Sequence, residues 1–596
     1  MIWQLRNTVR FHCGLVIIAL LTYSGCKESP GPVPPTPASV TPDQPFSEIA
    51  TAVTQPAIAE ENPRHRIRFS SMTADSGVAF VYYGAPSPEC YMTEQNGGGT
   101  ALFDYDGDGI LDLFFSNGSH FLKPAADVGA SQQIYRAQGE FHYVDATVAA
   151  RLTAFGFGMG AAAADFDNDG FSDLFVAGYG QNRLWHNCGD GTFEETSLPA
   201  LRTSQVWGTS AAFADLNADG LLDLYVVNYV DWNPDDPPCF LEDQGKPLKI
   251  SCSPVGRAGQ ADTLYQNLGD GRFEDVAQQA GVAIGADAKG LAVAIADLDT
   301  DGLLDVYVAN DTTRNFLFRN QGSMQFQEEG VLRGVAFSED GIAGASMGIA
   351  CGDFNRDGRL DLFVTNFLNQ VTDAFENLGE AGFLPVNGPR GLDTVSRGGM
   401  GFGIVLSDFD LDGWPDLFVA NGHIWDLTSL GLQYQFQMRS HLFANRHGDR
   451  FVEVAAAAGD YFQQKWLGRS VATGDLDNDG DTDLVVGNLL QPPAILRNDT
   501  LPRGGSIRLK FIGVQSARQP LGCRVEVDGN EGPTVVTTVP AGGSFQASSD
   551  DTVIVATGAS PSVKQVSIVW PNGQIERWRN LPTDALHQLR EGTGEK

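Results

Sequence analysis

The sequence predicts an all-β fold: a seven-bladed β-propeller with an Asp-rich calcium loop in each blade, followed by a small C-terminal β domain. Three observations predict it. The pattern D-x-[DN]-x-D-G-x-x-D occurs seven times, starting at Asp104, Asp165, Asp215, Asp297, Asp353, Asp408 and Asp475. A Phe opening a short strand pattern follows six of these loops and stands once, at Phe69, before any of them. The 69 glycines and 30 prolines among 596 residues favour turns and strands over long helices.

The chain opens on an export signal. Arg6 and Arg10 precede an apolar stretch, Gly14 to Thr22, that is too short to span a bilayer. It ends at Tyr23-Ser24-Gly25-Cys26, which resembles the bacterial lipobox with Tyr23 where Leu is usual. The resemblance implies a signal segment over 1–25, a lipid on Cys26 and an extracytoplasmic protein held at a membrane by that anchor alone, at the cell surface or in the periplasm; the alternatives are ordinary secretion or an uncleaved anchor. Residues 26–63 are Pro-rich and read as an extended tether.

Residues 64–500 carry the repeats. Six of the loops are preceded, seven residues upstream, by Gly (Gly97, Gly158, Gly208, Gly290, Gly401, Gly468), with Ser346 in the fifth repeat. Two residues further on stand only Gly, Ala or Ser, which suits an innermost strand crowded by its neighbours. After each loop comes an apolar run such as LFVAG or VYVAN, then a third strand, a Gly-rich turn, and a fourth strand with Phe at Phe141, Phe193, Phe273, Phe326, Phe383 or Phe451. Four strands joined by short turns make one blade. The seventh repeat stops at Asn498 without a fourth strand, so the copy at Phe69 is expected to complete it and close the ring. The longest interval between loops holds Cys239 and Cys252, which an oxidising compartment would let pair. Cys351 reads as a buried thiol in a strand, and partners for Cys90, Cys188 and Cys523 are not legible.

The loops have the chemistry of calcium sites. Calcium takes six to eight oxygens at about 2.3–2.6 Å. Loop positions 1, 3, 5 and 9 supply side-chain oxygens, position 7 a carbonyl, and Gly at position 6 the sharp turn. The expected ligands are Asp104, Asp106, Asp108 and Asp112; Asp165, Asp167, Asp169 and Asp173; Asp215, Asn217, Asp219 and Asp223; Asp297, Asp299, Asp301 and Asp305; Asp353, Asn355, Asp357 and Asp361; Asp408, Asp410, Asp412 and Asp416; and Asp475, Asp477, Asp479 and Asp483. Up to seven ions follow, with the two Asn-bearing loops the weakest. Four carboxylates in one turn are expected to repel one another without a cation. An EF-hand would need flanking helices and Glu at position 12, whereas strands flank these loops.

The loop-and-strand unit resembles the FG-GAP/VCBS repeats of integrin-type propellers. The longer frame, with NGGGTALFDYDGDG and ANGHIWD, resembles the cartilage acidic protein family. That family ends in an ASPIC/UnbV domain, and SARQPLGCRVEV and VSIVWPNGQIERW within residues 501–596 resemble one; ATGAS departs from the family's FGLG-type segment.

A net charge of −35, from 74 acidic and 39 basic residues, argues against nucleic acid as a partner. No catalytic residue is assigned. Gly344-Ala345-Ser346-Met347-Gly348 spells a nucleophile elbow but falls in the frame of a first strand. His423, Trp425 and His441 are the candidates for a ligand site, against a bland reading as loop packing. The expected function is a non-catalytic, calcium-stabilised binding or adhesion module for protein or glycan; the alternative is an extracytoplasmic carbohydrate-active lyase or hydrolase on the same scaffold.

Overall fold

Short apolar runs bounded by Gly- and Asp-rich turns fold, repeat by repeat, into four-stranded antiparallel sheets. The computed structural model describes residues 67–596 apart from 85–86, 120–130, 154–155, 197–205, 244–245, 286, 427–434, 502–503 and 530–531. The export segment, Cys26 and the Pro-rich tether lie outside the described residues.

The fourth repeat shows the plan: strands Gly290–Ala296, Asp305–Asn310, Phe316–Asn320 and Phe326–Glu328 lie side by side in chain order. Among the described residues, seven sheets follow it. First strands of consecutive repeats pack against one another, and that of the seventh, Gly468–Gly474, packs back against that of the first, Thr100–Phe103. The small residues make this approach feasible. A Cβ on Gly160 would stand 2.4 Å from Thr209 O, and one on Gly403 2.5 Å from Arg469 O. In the seventh sheet the outermost strand is Phe69–Ser71, with Phe69 opposite Asn498 just as Phe326 lies opposite Asn320.

One expectation is corrected. In the first repeat the outermost strand is Tyr143–Asp145, and Phe141 precedes it with φ of 53°. The turn ahead of the strand sets this register. Tyr143 faces Ala137 six residues back, the spacing that Phe326 keeps from Asn320, so Phe141 falls inside the turn.

The third repeat carries an extra hairpin, Cys239–Asp243 with Lys246–Ile250, tied by a Cys239–Cys252 disulfide. Cys90, Cys188, Cys351 and Cys523 are free thiols. The C-terminal strands form a three-stranded sheet around Gly505–Ile512 and a four-stranded sheet around Arg524–Asp528 and Ser562–Val569, over a core that includes fully buried Trp570.

The C-terminal part is not a separate bead. Its segment 541–548 runs between the first strands. Ile295 N–H donates to Ala541 O (3.0 Å), Gly543 N–H to Val293 O (2.7 Å), Ile349 N–H to Ser544 O (3.0 Å) and Ala161 N–H to Gln546 O (3.3 Å). Ala547–Ser548 then adds a parallel fifth strand to the first sheet. Phe545, with no exposed surface, packs edge-on against Phe402 (5.0 Å, 70°) in a cluster with Met159, Met347 and Trp207. Segment 541–548 thus lies among the first strands of the first, second, fourth and fifth repeats.

Candidate metal centres

The local sequence folds each loop around its first aspartate. Asp104 Oδ1 accepts from Gly107 N–H (2.8 Å) and Asp108 N–H (3.1 Å), and Oδ2 from Gly109 N–H (2.8 Å). Asp165, Asp215, Asp353, Asp408 and Asp475 bind their own turns through the same two positions. Position 6 has φ between 85° and 104° in all seven loops, where glycine is at no disadvantage.

The ninth-position aspartate is the most buried. Asp112 has no exposed surface; its Oδ2 accepts from Tyr105 N–H (3.0 Å) and its Oδ1 from Ala137 N–H (2.7 Å). Burial raises its carboxyl to about 8, and that of Asp173 to about 9, despite the hydrogen bonds that pull the other way. Burial also raises Asp165, Asp215, Asp297 and Asp353 to about 6.

Several loops gather carboxylate oxygens within 4.8 Å of one another: Asp104, Asp106 and Asp108; Asp165, Asp167 and Asp173; Asp297, Asp299 and Asp305; Asp408, Asp410 and Asp416. These clusters could hold a metal ion. Asp106 Oδ1, Asp297 Oδ1 and Asp477 Oδ1 are buried without a hydrogen-bond partner. An all-oxygen set with buried carboxylate oxygens unpaired fits a hard divalent cation. In the third and fifth loops, Asn217 and Asn355 turn their amide N–H toward Asp219 (2.9 Å) and Asp357 (3.3 Å).

The chain also supplies cations of its own, which qualifies the expected repulsion. Arg136 Nε lies 2.5 Å from Asp106 Oδ2, Arg319 contacts Asp299 and Asp301, and Arg359 contacts Asp357. The C-terminal part adds two more. Arg508 Nη1 is 2.8 Å from Asp475 Oδ2, and Arg518 Nε 3.4 Å from Asp165 Oδ2. Arg518 N–H also donates to Asn168 Oδ1 (2.8 Å), and Arg524 Nη2 to Gly358 O (2.9 Å). The loop ends of these repeats are therefore the surface on which the C-terminal strands rest. A cavity of about 230 Å³ lies between them, lined among others by Lys510, Arg518, Asp550 and Asp551.

Sequence reasoning missed the residue that joins one loop to the next. Asn320 ends the third strand of the fourth repeat. Its N–H donates to Asp305 Oδ1 (2.9 Å), while its Nδ2 donates to Leu304 O in its own loop and to Leu216 O in the preceding one, both at 3.0 Å. Asn187, Asn267, Asn377, Asn445 and Asn498 make the same bridge. The signal was available: an Asn stands just before the Gly-rich turn of the second to sixth repeats and again at Asn498, where the seventh repeat stops, whereas the first repeat has Ala137 there.

His423 and Trp425 lie together: His423 Nδ1 accepts from Trp425 N–H (3.0 Å), and both rings meet Phe367. His441 packs on Phe443 instead (5.6 Å). Burial lowers both histidines to about 4, so they are neutral near pH 7. Ser346 is buried ahead of strand Ile349–Gly352, not on a strand-to-helix turn.

Seven sheets of one plan, each with an acidic loop between its first two strands, define a repeat protein. The FG-GAP-like repeat family matches residues 104–176, 165–226, 255–308, 297–364 and 408–486, over half of the chain, and the chain belongs to it. Residues 513–596 match the ASPIC and UnbV domain. The chain is similar to Cartilage acidic protein 1 of Homo sapiens, 22% identical over 54% of this chain and 46% of the relative. It is also similar to that of Mus musculus, 26% identical over 38% and 33%. It thus spans less than half the length of these curated relatives. Among solved structures, an Agrocybe aegerita lectin specific for non-reducing terminal N-acetylglucosamine is 14% identical with a TM-score of 0.35, covering 69% of this chain and 92% of its own. An exotype rhamnogalacturonan lyase is 10% identical with a TM-score of 0.30, covering 88% and 92%. Likenesses this weak carry no argument about fold or ligand.

Proposed function

We propose that this chain is a calcium-stabilised, non-catalytic binding module, a seven-bladed propeller closed by its N-terminal strand and exposed outside the cytoplasm. The observation that carries the calcium reading is the set of buried carboxylate oxygens left unpaired in the first, fourth and seventh loops. Calcium supplies the positive charge that those oxygens and the raised ninth-position carboxyls call for. The domain limits follow the sequence: signal 1–25, tether 26–63, ring 64–500 and C-terminal domain 501–596, with Cys26 as the lipid anchor.

A binding role is supported by what occupies the centre. The axis, where a propeller could converge catalytic groups from several blades, is filled by Phe545 and its neighbours. With the C-terminal strands seated on the loop ends, the opposite end of the ring, with Trp425, Phe367, Tyr91 and Tyr179 partly exposed, is the surface offered to a protein or glycan partner. The test is a glycan and protein-ligand binding screen on the full chain, run in calcium and in excess chelator, with melting followed in parallel. At free calcium ten times its dissociation constant, each native-only site adds about 1.4 kcal/mol. An unchanged melting temperature in chelator would overturn the calcium reading; turnover of a glycan substrate would overturn the non-catalytic one.

A further inference from the structure

One position in the repeat addresses the metal loop from outside it. In three repeats the next-to-last residue of the third strand reaches loop positions 3 and 5. In the first repeat it is Arg136, which reaches Asp106 and Asp108, and in the fourth Arg319, which reaches Asp299 and Asp301. In the second repeat it is His186. Its Nε2 lies 3.0 Å from Asp167 Oδ2 and 3.7 Å from Asp169 Oδ2, and these three donor atoms all fall within 4.8 Å of one another. Asp167 belongs at the same time to the triad with Asp165 and Asp173.

We propose that the second loop is a mixed nitrogen–oxygen site that takes a transition-metal ion of the zinc class through His186, Asp167 and Asp169. The proposal rests on the reading of these loops as cation sites and changes which cation this one selects. Calcium and magnesium prefer oxygen donors, whereas imidazole nitrogen suits zinc, copper and nickel. Donors around a tetrahedral ion with bonds of about 2.1 Å stand roughly 3.4 Å apart. The two observed separations from Nε2 bracket that value. The imidazole is also held in place: its edge meets the ring of Phe166 (6.3 Å, 67°), the buried second residue of the same loop. Where Arg136 and Arg319 put a fixed positive charge on the same pair of carboxylates, His186 leaves them a lone pair to share with an ion. It is about one-third exposed, so an ion can reach it from solution.

The experiment uses the full chain saturated with calcium. Zinc is titrated by calorimetry, and cobalt(II) is followed by its visible absorption, which reports tetrahedral coordination. One zinc ion per chain is expected to bind in the presence of excess calcium, with a cobalt spectrum of a four-coordinate N/O site. Losing even an outer partner of a metal ligand costs about 10–100-fold in affinity, so His186→Gln should weaken zinc by at least that much. Calcium-dependent melting of His186→Gln should match that of the parent chain, which reports a folded protein with its other loops intact. Equal zinc affinity in His186→Gln, or no zinc bound in competition with calcium, overturns the proposal. A zinc site present in a chain that calcium does not stabilise would sink the calcium reading and leave this one standing.

Discussion

If the bridging asparagines hold neighbouring loops together, Asn320→Ala should be among the most damaging single changes outside the core. The side chain is 1% exposed and makes three hydrogen bonds: to Leu216 O and Leu304 O through Nδ2, and from Gly322 N–H to Oδ1 (2.9 Å). Each is worth about 1 kcal/mol net, and a buried acceptor left without its donor costs about 1–3 kcal/mol. The expected loss is therefore about 3–5 kcal/mol, a large share of a net stability of about 5–15 kcal/mol. The backbone N–H that serves Asp305 Oδ1 is retained in the variant, so the loss belongs to the bridge and not to the loop's own geometry. Urea unfolding of the calcium-loaded chain is the assay, with a lower midpoint and an unchanged slope. The reverse change, Ala137→Asn, supplies the bridge missing between the seventh and first repeats, within reach of Leu476 O and Leu111 O by analogy of position. It should add about 1 kcal/mol. A cost below about 1 kcal/mol for Asn320→Ala would mean that these asparagines do not hold neighbouring loops together.

Two further outcomes follow from the same structure. Phe545→Ala removes the buried side chain that packs against Phe402 and should cost about 3–5 kcal/mol in urea unfolding, with no loss of the Cys239–Cys252 disulfide; a neutral variant would mean that the segment merely rests against the first strands. In chelator, the folded state binds more protons than the unfolded one, because Asp112, Asp173 and the first-position aspartates have raised carboxyls. Stability of the metal-free chain should be greatest near pH 4 and fall as pH rises through about 6 to 9, whereas calcium, which needs ionised ligands, should reverse the order. Melting temperatures at pH 5 and pH 8, with and without calcium, check this; a chelated chain that melts higher at pH 8 contradicts it.

The periodic loops and the small residues before them were enough to read an all-β repeat chain, because both are local. A turn that needs left-handed backbone writes Gly at position 6, and a strand abutting its neighbour writes Gly or Ala every second residue. Asp-rich spacing likewise exposed the clustered carboxylates. The bridge made by Asn320 was written in the sequence too, yet its meaning lies in a carbonyl 104 residues away. Phe141 misled because an aromatic near a turn does not reveal which side of it begins the strand.

Local pattern alone carries the repeat, the seven acidic loops and the carboxylates within each. The side chains that meet those loops are set by the three-dimensional packing. Arg136, Arg319, Arg508, Arg518 and His186 reach them from other strands or from the C-terminal part, and segment 541–548 runs between the first strands. Such contacts run from one strand to another element's loop, within a repeat for Arg136, His186 and Arg319 and from the C-terminal part for Arg508 and Arg518, and their energies depend on burial that no local pattern records.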